Sequence, residues 1–280
     1  MANETTSSTI SELYTEIVAE ALFVAQEQSV MRGLVRNYTI AGGGKSVEVP
    51  IYSTVSAAAV NEATDLSNTA VNPSSVTITA SEVGIMTTLT DLARNSASRN
   101  VAADIGRLFG ESIAKKIDTD LTALFDGFST SIGGAGQELT VDKIFQAVAT
   151  LRQANVPGPY FGVLNPKVAY NVKKSLTNTF VNPNPNDLTN EALRTGYIGN
   201  IAGVQIFETS NVDGTTDTDN CKGAIFSRDA LGLAMMQDLK IESQRDASLR
   251  ADEIVATAVY GVGELHDTYG VEMLAESVIN

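Results

Sequence analysis

Apolar residues recur at three- and four-residue spacing along two stretches of the sequence, which is the period of an amphipathic helix. The stronger pattern predicts one long helix over residues 98–126, ended by Gly127 because glycine commonly follows the last helical turn. A weaker pattern over residues 10–33 includes Ile17 and Val18 and predicts an N-terminal helix. That helix either docks on its own core or lies as an arm on a neighbouring subunit.

Two further segments alternate between apolar and polar residues, which is typical of half-buried strands. Val47, Val49 and Ile51 share one face of the first segment, and Val76 and Ile78 share one face of the second. The long polar stretch between them predicts a hairpin with a large tip. Because an isolated hairpin is marginally stable in water, it must lie on something. It is either a flap over its own domain or an arm that packs on another chain.

The second half of the sequence mixes helices with strands. Thr140 is placed to cap a helix, residues 160–164 are an apolar run typical of a buried strand, and Pro166 begins another helix. Further strands are predicted in the C-terminal part at residues 204–208, 223–226, 231–236, 239–243, 253–260 and 269–274. This mixture predicts an α+β fold.

The charge balance and the residue counts narrow the classes of function. The 280 residues carry a formal net charge of −14, which disfavours a protein that coats DNA, because phosphate binding needs a basic face. One Cys and one His cannot form an internal disulfide, a Cys-based zinc site or a His-rich metal centre. We recognise no signal peptide and no apolar run long enough to span a membrane, so no membrane partner is predicted.

Two loops resemble binding motifs without meeting the requirements of either. Residues 42–46 read Gly-Gly-Gly-Lys-Ser, but a phosphate-binding loop needs glycine where Thr39 stands and a helix afterwards, and here a strand follows. Asp213, Asp217 and Asp219 could offer oxygen ligands to calcium, yet their spacing does not fit an EF-hand. We expect a hinge at the first loop and a solvated surface at the second, with no cofactor and no metal.

Glu264, His266 and Asp267 form the remaining cluster of candidate acid and base groups. An acidic soluble hydrolase built on them is the alternative from a different class of function. No Gly-x-Ser-x-Gly element supplies a nucleophile, so a solvent-facing turn is favoured over a catalytic site. We therefore predict that the protein is not an enzyme.

The order of these elements resembles the major capsid proteins of tailed bacteriophages, which share the Hong Kong 97-like fold. The similar stretches are Lys45–Pro50 rising and Ser75–Ile78 returning, Asn61-Glu62-Ala63 near the tip, Leu124–Gly127, Leu164-Asn165-Pro166, and Leu249–Asp252. The domains that the resemblance implies are an N-terminal arm (1–34), an extended loop (35–88), a peripheral domain with a spine helix (89–135 and 228–280) and an axial domain (136–227).

The resemblance implies a shell protein of the virion. Copies would assemble in the host cytoplasm into hexamers and pentamers of an icosahedral head, with a scaffolding protein and a portal as further partners. The head would enclose double-stranded DNA without sequence-specific binding. The residues expected at subunit interfaces are Val47, Val49, Ile51, Glu62, Val76, Ile78, Ile17 and Val18.

Two rival interpretations and two expectations make the resemblance testable. An encapsulin-like compartment is the rival within the same fold, and a calcium-holding binding module is a rival outside it. Lys45 is the only lysine in residues 45–81 and lies at the root of the hairpin, so no covalent crosslinking between subunits is expected. Deletion of residues 53–81, or Asp at Val49 or Ile78, is expected to impair assembly more than monomer folding.

Overall fold

The computed structural model describes residues 29–41, 44–52, 70–96, 101–179, 200–212 and 220–276, together with Ala21 and scattered positions between 55 and 68. The strands are β1 (Arg36–Thr39), β2 (Ser46–Tyr52), β3 (Pro73–Thr79), β4 (Ser81–Thr90), β5 (Ser131–Gly133), β6 (Tyr160–Leu164), β7 (Asn200–Ile201), β8 (Val204–Glu208), β9 (Asn220–Ser227), β10 (Leu231–Asp246), β11 (Ala251–Glu264) and β12 (Gly270–Glu276). The helices are α1 (Asp91–Ser96), α2 (Val101–Thr122), α3 (Val141–Gln153) and α4 (Pro166–Thr179).

The long helix α2 confirms the strongest helical pattern, and its apolar face lies in the main core. Phe109, Ile113, Ile117 and Leu121 are buried along that face. The predicted span of 98–126 is too long, because the chain tightens into a 3₁₀ turn at Ala123–Gly127, as helix C-termini often do. Among the described residues, no helix is long and apolar enough to cross a membrane.

The first sheet has the strand order β1-β10-β11-β4 and supports α2. Two strands predicted separately, 231–236 and 239–243, are one 16-residue strand, β10, whose pairing with β11 is irregular between Met235 and Lys240. The alternation of apolar residues breaks at that irregularity, which is why the sequence pattern divides there. Strand β4 was not predicted, and it forms because β11 offers it a ladder of ten residue pairs.

The second sheet has the order β5-β12-β9-β6-β8-β7, with α3 and α4 packed on it. All five residues of β6 are buried between β9 and β8, which explains the apolar run in the sequence. The side chain of Asn165 accepts a hydrogen bond from the Lys167 amide (3.0 Å) and so caps the start of α4. Thr140 precedes α3 as predicted, but its side chain makes no capping bond.

The division of the strands between the two large sheets does not follow the domain boundaries that the resemblance implies. Strands β5 and β12 fall within the predicted peripheral segments 89–135 and 228–280, yet both belong to the second sheet. Strands β1 and β4 lie within or across the predicted extended loop 35–88, yet both belong to the first sheet. They are placed there by pairing with strands that lie far away in sequence.

Candidate subunit interface

Strands β2 and β3 form a separate two-stranded hairpin, as the alternation predicts. The register places Val47 opposite Ile78 and Val49 opposite Val76, so the apolar residues share one face. The last pair joins Tyr52 to Pro73, and the tip lies beyond it. Within the described residues, the hairpin over residues 46–79 therefore shares no strand pairing with either large sheet.

The root of the hairpin packs on its own chain. Ile78 is 1% exposed and Val49 is 9% exposed. They lie in a small apolar cluster that also contains Ile40, Ala80, Ala234 and Leu265. Because both side chains are buried in this cluster, Asp at Val49 or Ile78 is expected to destabilise the monomer as well as to impair assembly. Deletion of residues 53–81 would remove part of this cluster as well.

A glycine seat, formed by Gly232, Gly261 and Gly263, allows this close approach. Gly232 of β10 pairs with Gly263 of β11, and a Cβ atom on either would come within 2.9 Å of the Ile78 side chain. A Cβ atom on Gly261 would collide with the carbonyl oxygen of Thr79. The side chain and backbone of the hairpin root thus rest on bare backbone of the first sheet.

The distal part of the hairpin presents apolar side chains to the surface. Tyr52 is 66% exposed, and Val55, Val60 and Val71 are 56%, 50% and 49% exposed. Ile51, Val47 and Val76 are half-buried. Exposed apolar side chains mark an interaction site when they are grouped on one surface. The hairpin therefore changes along its length from a buried root to an exposed distal part in which apolar side chains stand among polar ones; Glu62 lies outside the described residues.

The N-terminal stretch contacts its own chain wherever the structure describes it. Ala21, Met31, Leu34 and Val35 are buried in the main core. At these positions the alternative of docking on its own core is the one observed. Ile17 and Val18 lie outside the described residues.

Asp118 and Asp120 of α2 point to different faces, as their spacing predicts. Asp118 is fully buried and accepts hydrogen bonds from Ser29 and from two backbone amides. Asp120 accepts a hydrogen bond from the Tyr260 hydroxyl (2.8 Å) and pairs with Lys116 (2.7 Å). Burial and the Asp120 carboxylate raise the pKa of Tyr260, so its hydroxyl stays protonated and ties α2 to β11.

Glu264, His266 and Asp267 each interact with different neighbours. The His266 ring stacks on Tyr269 with 4.3 Å between the ring centroids, and the Asp267 carboxylate accepts a hydrogen bond from the Ser129 amide (2.6 Å). Burial, and secondarily the charge of Asp267, raises the pKa of Glu264. The Asp267 contact ties the turn between β11 and β12 to the segment that precedes β5.

An open cleft of about 340 Å³ adjoins the root of the hairpin, and Val49 and Pro50 of β2 line one side of it. His266 lines it, and burial lowers the pKa of His266 despite the opposing effect of Asp229. Arg36 pairs with Asp229 at its edge. The candidate calcium ligands Asp213, Asp217 and Asp219 lie outside the described residues.

Comparison with known families identifies the chain. A family model described as "Phage capsid protein" matches residues 73–272. The chain belongs to the phage capsid protein family. The match begins at β3 and runs into β12, so it includes the spine helix α2, strands β4, β10 and β11 of the first sheet, and the second sheet as far as residue 272 of β12. Comparison with curated proteins finds no match.

Solved structures confirm the fold of this capsid protein. A chain of Mycobacterium phage Che8 is 22% identical with a TM-score of 0.65, and the match covers 82% of this chain and 84% of that chain. The capsid of cyanophage P-SCSP1u gives 18% identity, a TM-score of 0.68 and coverage of 88% and 87%. The capsid of Helicobacter pylori bacteriophage KHP30 gives 12% identity and a TM-score of 0.68, and the match covers 89% of this chain and 91% of that chain. The predicted Hong Kong 97-like α+β fold is therefore confirmed.

Membership of this family makes the protein a structural component of the phage head, located in the capsid of the virion and assembled from copies of itself. A shell protein must present surface for its neighbours, and the exposed hairpin tip is a candidate for that surface. The family match also favours a phage head over an encapsulin-like compartment of the same fold.

Proposed function

We propose that this chain assembles into hexamers and pentamers of an icosahedral head, with the distal hairpin packed on a neighbouring subunit. The observation that carries the proposal is the gradient along the hairpin, from Ile78 at 1% exposed to Tyr52 at 66% exposed. The root gives the hairpin a fixed origin on its own subunit. The apolar tip gains stability when a second copy covers it, because burial of apolar area is the main favourable contribution to association.

The finer parts of the proposal concern the other partners. A separate scaffolding protein and a portal would act during assembly in the host cytoplasm, and the finished head would enclose double-stranded DNA. The net charge of −14 supports a container that surrounds the nucleic acid rather than one that coats its phosphates. We propose no enzymatic activity for the chain.

Removal of the tip alone tests the interchain role of the hairpin. Ile51 and Ser74 are directly paired and the Ser74 amide can donate the closing hydrogen bond, so an Asn-Gly turn in place of residues 52–73 closes the hairpin and leaves the root cluster intact. We expect a folded chain with an unchanged midpoint of unfolding and no large particles by light scattering and electron microscopy. Normal particles would refute the interchain role, and loss of folding would show that the tip belongs to its own core.

Point substitutions provide a matched control for the deletion. Asp at Val60 or Val71 places a charge at an exposed apolar position, whereas Ser75→Asp places the same charge on the polar face of β3, opposite the uncharged Pro50. We expect the first two variants to lower the yield of particles and the third to retain it. Equal yields for all three would contradict the proposal. Nuclease-protected DNA in purified particles tests the enclosed nucleic acid separately.

A further inference from the structure

The buried carboxylate of Asp118 holds the chain where the N-terminal stretch meets the body. Its Oδ1 accepts hydrogen bonds from the Ser29 hydroxyl (2.8 Å) and the Met31 amide (3.2 Å), and its Oδ2 accepts one from the Val30 amide (3.1 Å). The side chain of Asn211 contributes a further hydrogen bond. Both carboxylate oxygens are therefore occupied by donors from outside α2.

Two of these donors are backbone amides at the start of a 3₁₀ turn, Met31–Gly33. Amides in the first turn of a helix have no partner within the helix, so an acceptor must come from elsewhere. Met31 itself is fully buried, and an amide left unpaired there would be costly. Asp118 thus fixes the local conformation of the N-terminal stretch as well as its place on α2.

The charged groups near Asp118 are engaged with other partners. Arg32 pairs with Asp238 (3.0 Å), and Lys116 pairs with Asp120 (2.7 Å). Burial raises the pKa of Asp118, and the hydrogen bonds partly offset that rise. Among the described residues no cation pairs with Asp118, and a carboxylate buried without one is an expensive way to stabilise a fold. Its cost is accounted for by the several donors that it holds in one arrangement.

A second point of contact lies on the same helix. Ala21 is fully buried, and a Cβ atom on Gly110 would collide with the carbonyl oxygen of Ala21. Gly110 and Asp118 are separated by about two helical turns, or about 12 Å along the axis. Ala21 meets the earlier point and Ser29 the later one, so the two contacts follow α2 in the direction of the chain.

We propose that Gly110 and Asp118 form a two-point clamp that fixes the N-terminal segment along α2 and sets the point on the body at which residues 1–20 begin. Glycine supplies close backbone approach at one point, and the carboxylate supplies directional acceptors at the other. The consequence for assembly rests on the proposed function: a clamped origin determines which neighbouring subunit the first residues can reach.

Trypsin reports on the clamp because residues 1–31 contain no Lys or Arg, so Arg32 is the first cleavage site. Asp118→Ala removes every acceptor of the clamp, and loss of hydrogen bonds to a charged group should accelerate cleavage after Arg32 by about tenfold to a hundredfold. Asp118→Asn keeps one oxygen and should give an intermediate rate. Intact-mass spectrometry of the unassembled chain measures the loss of residues 1–32.

Two controls separate the clamp from general damage. Ser227→Ala removes a different buried hydrogen bond, from the Ser227 hydroxyl to the Pro157 carbonyl (2.8 Å), and should leave the Arg32 rate unchanged. Lys222 is half-buried within β9 and paired with Leu274 of β12, so cleavage after Lys222 requires the second sheet to open and reports global unfolding. Unchanged cleavage at Arg32 in Asp118→Ala, or equal acceleration at Arg32 and Lys222, would overturn the clamp.

Gly110→Ala tests the other point independently. Alanine is about 1 kcal/mol more favourable than glycine inside a helix, so loosening of the N-terminal segment cannot be attributed to a weaker α2. We expect faster cleavage at Arg32, and an unchanged rate would overturn the two-point arrangement. In particle assembly, normal yield from Asp118→Ala would refute the role of the clamp in assembly. Failure of the wild-type chain to form particles would refute the proposed function and leave the proteolysis result standing.

Discussion

Truncation of Ile78 to Ala should destabilise the monomer strongly, although Ile78 belongs to the hairpin that the proposed function assigns to subunit contacts. Buried Ile-to-Ala changes cost about 2–5 kcal/mol, and the cost rises with the cavity that remains. The side chain is 1% exposed and rests on Gly232 and Gly263, which are paired with each other in the first sheet. That backbone is held by the ladder and cannot move in to fill the space.

We therefore expect a cost in the upper half of the range, about 3–5 kcal/mol in the free energy of unfolding. The measurement is urea unfolding of the unassembled chain, followed by circular dichroism. Ile51→Ala is the matched control, because Ile51 is half-buried farther along the same hairpin and faces Ser74 across it. That control should cost about 1 kcal/mol or less.

Two results would refute this reasoning about the root. Equal costs for the Ile78 and Ile51 variants would mean that the hairpin is covered uniformly, without a buried root. A cost below about 0.5 kcal/mol for Ile78→Ala, the size of an ordinary surface effect, would mean that the glycine seat does not hold the side chain.

Two further predictions concern other positions. The pKa of His266 should lie below its ordinary value of 6.5, since burial outweighs the opposing charge of Asp229; the only His in the chain gives one imidazole resonance to titrate by NMR. Stability should fall as pH drops below 6.5, and His266→Gln should remove that contribution. Gly133→Ala should cost about 1–3 kcal/mol by thermal unfolding, because φ is +107° and a Cβ atom would collide with the Leu274 carbonyl. Gly134→Ala should not have this cost, because its Cβ atom would make only an ordinary contact with the Gln137 side chain at 3.8 Å.

Local patterns in the sequence predict the strands and helices whose environment is uniform along their length. The alternation at Val47 and Val49 indicates β2, and the apolar run at 160–164 indicates β6, because neighbours in sequence share one environment there. Strand β4 escapes such reasoning, since Glu82 and Gly84 weaken the pattern and the pairing with β11 decides the outcome.

The candidate interface is predictable only in part, because a pattern shows that a face is apolar without showing which body covers it. Ile78 and Val76 look equivalent in the sequence, yet the first sheet buries one and leaves the other half-exposed. The glycines that decide the difference lie far along the chain. In the sequence, Asp118 would be paired with its neighbour Asp120. Its hydrogen-bond partner in the structure, Ser29, is 89 residues away.

The irregular pairing between Met235 and Lys240 has a mechanical consequence for the ribbon of β10 and β11. The glycine seat lies at one end of this ribbon, and Arg245 joins Asp91 (2.6 Å) and Asp252 (3.1 Å) near the other, about 37 Å away along β11 at the usual rise of a strand. Extra residues in one strand of a pair bend that strand and increase its local twist. The direction in which the Arg245 end projects from the glycine seat is therefore set at this irregularity, and removal of the extra residues would reorient one end relative to the other.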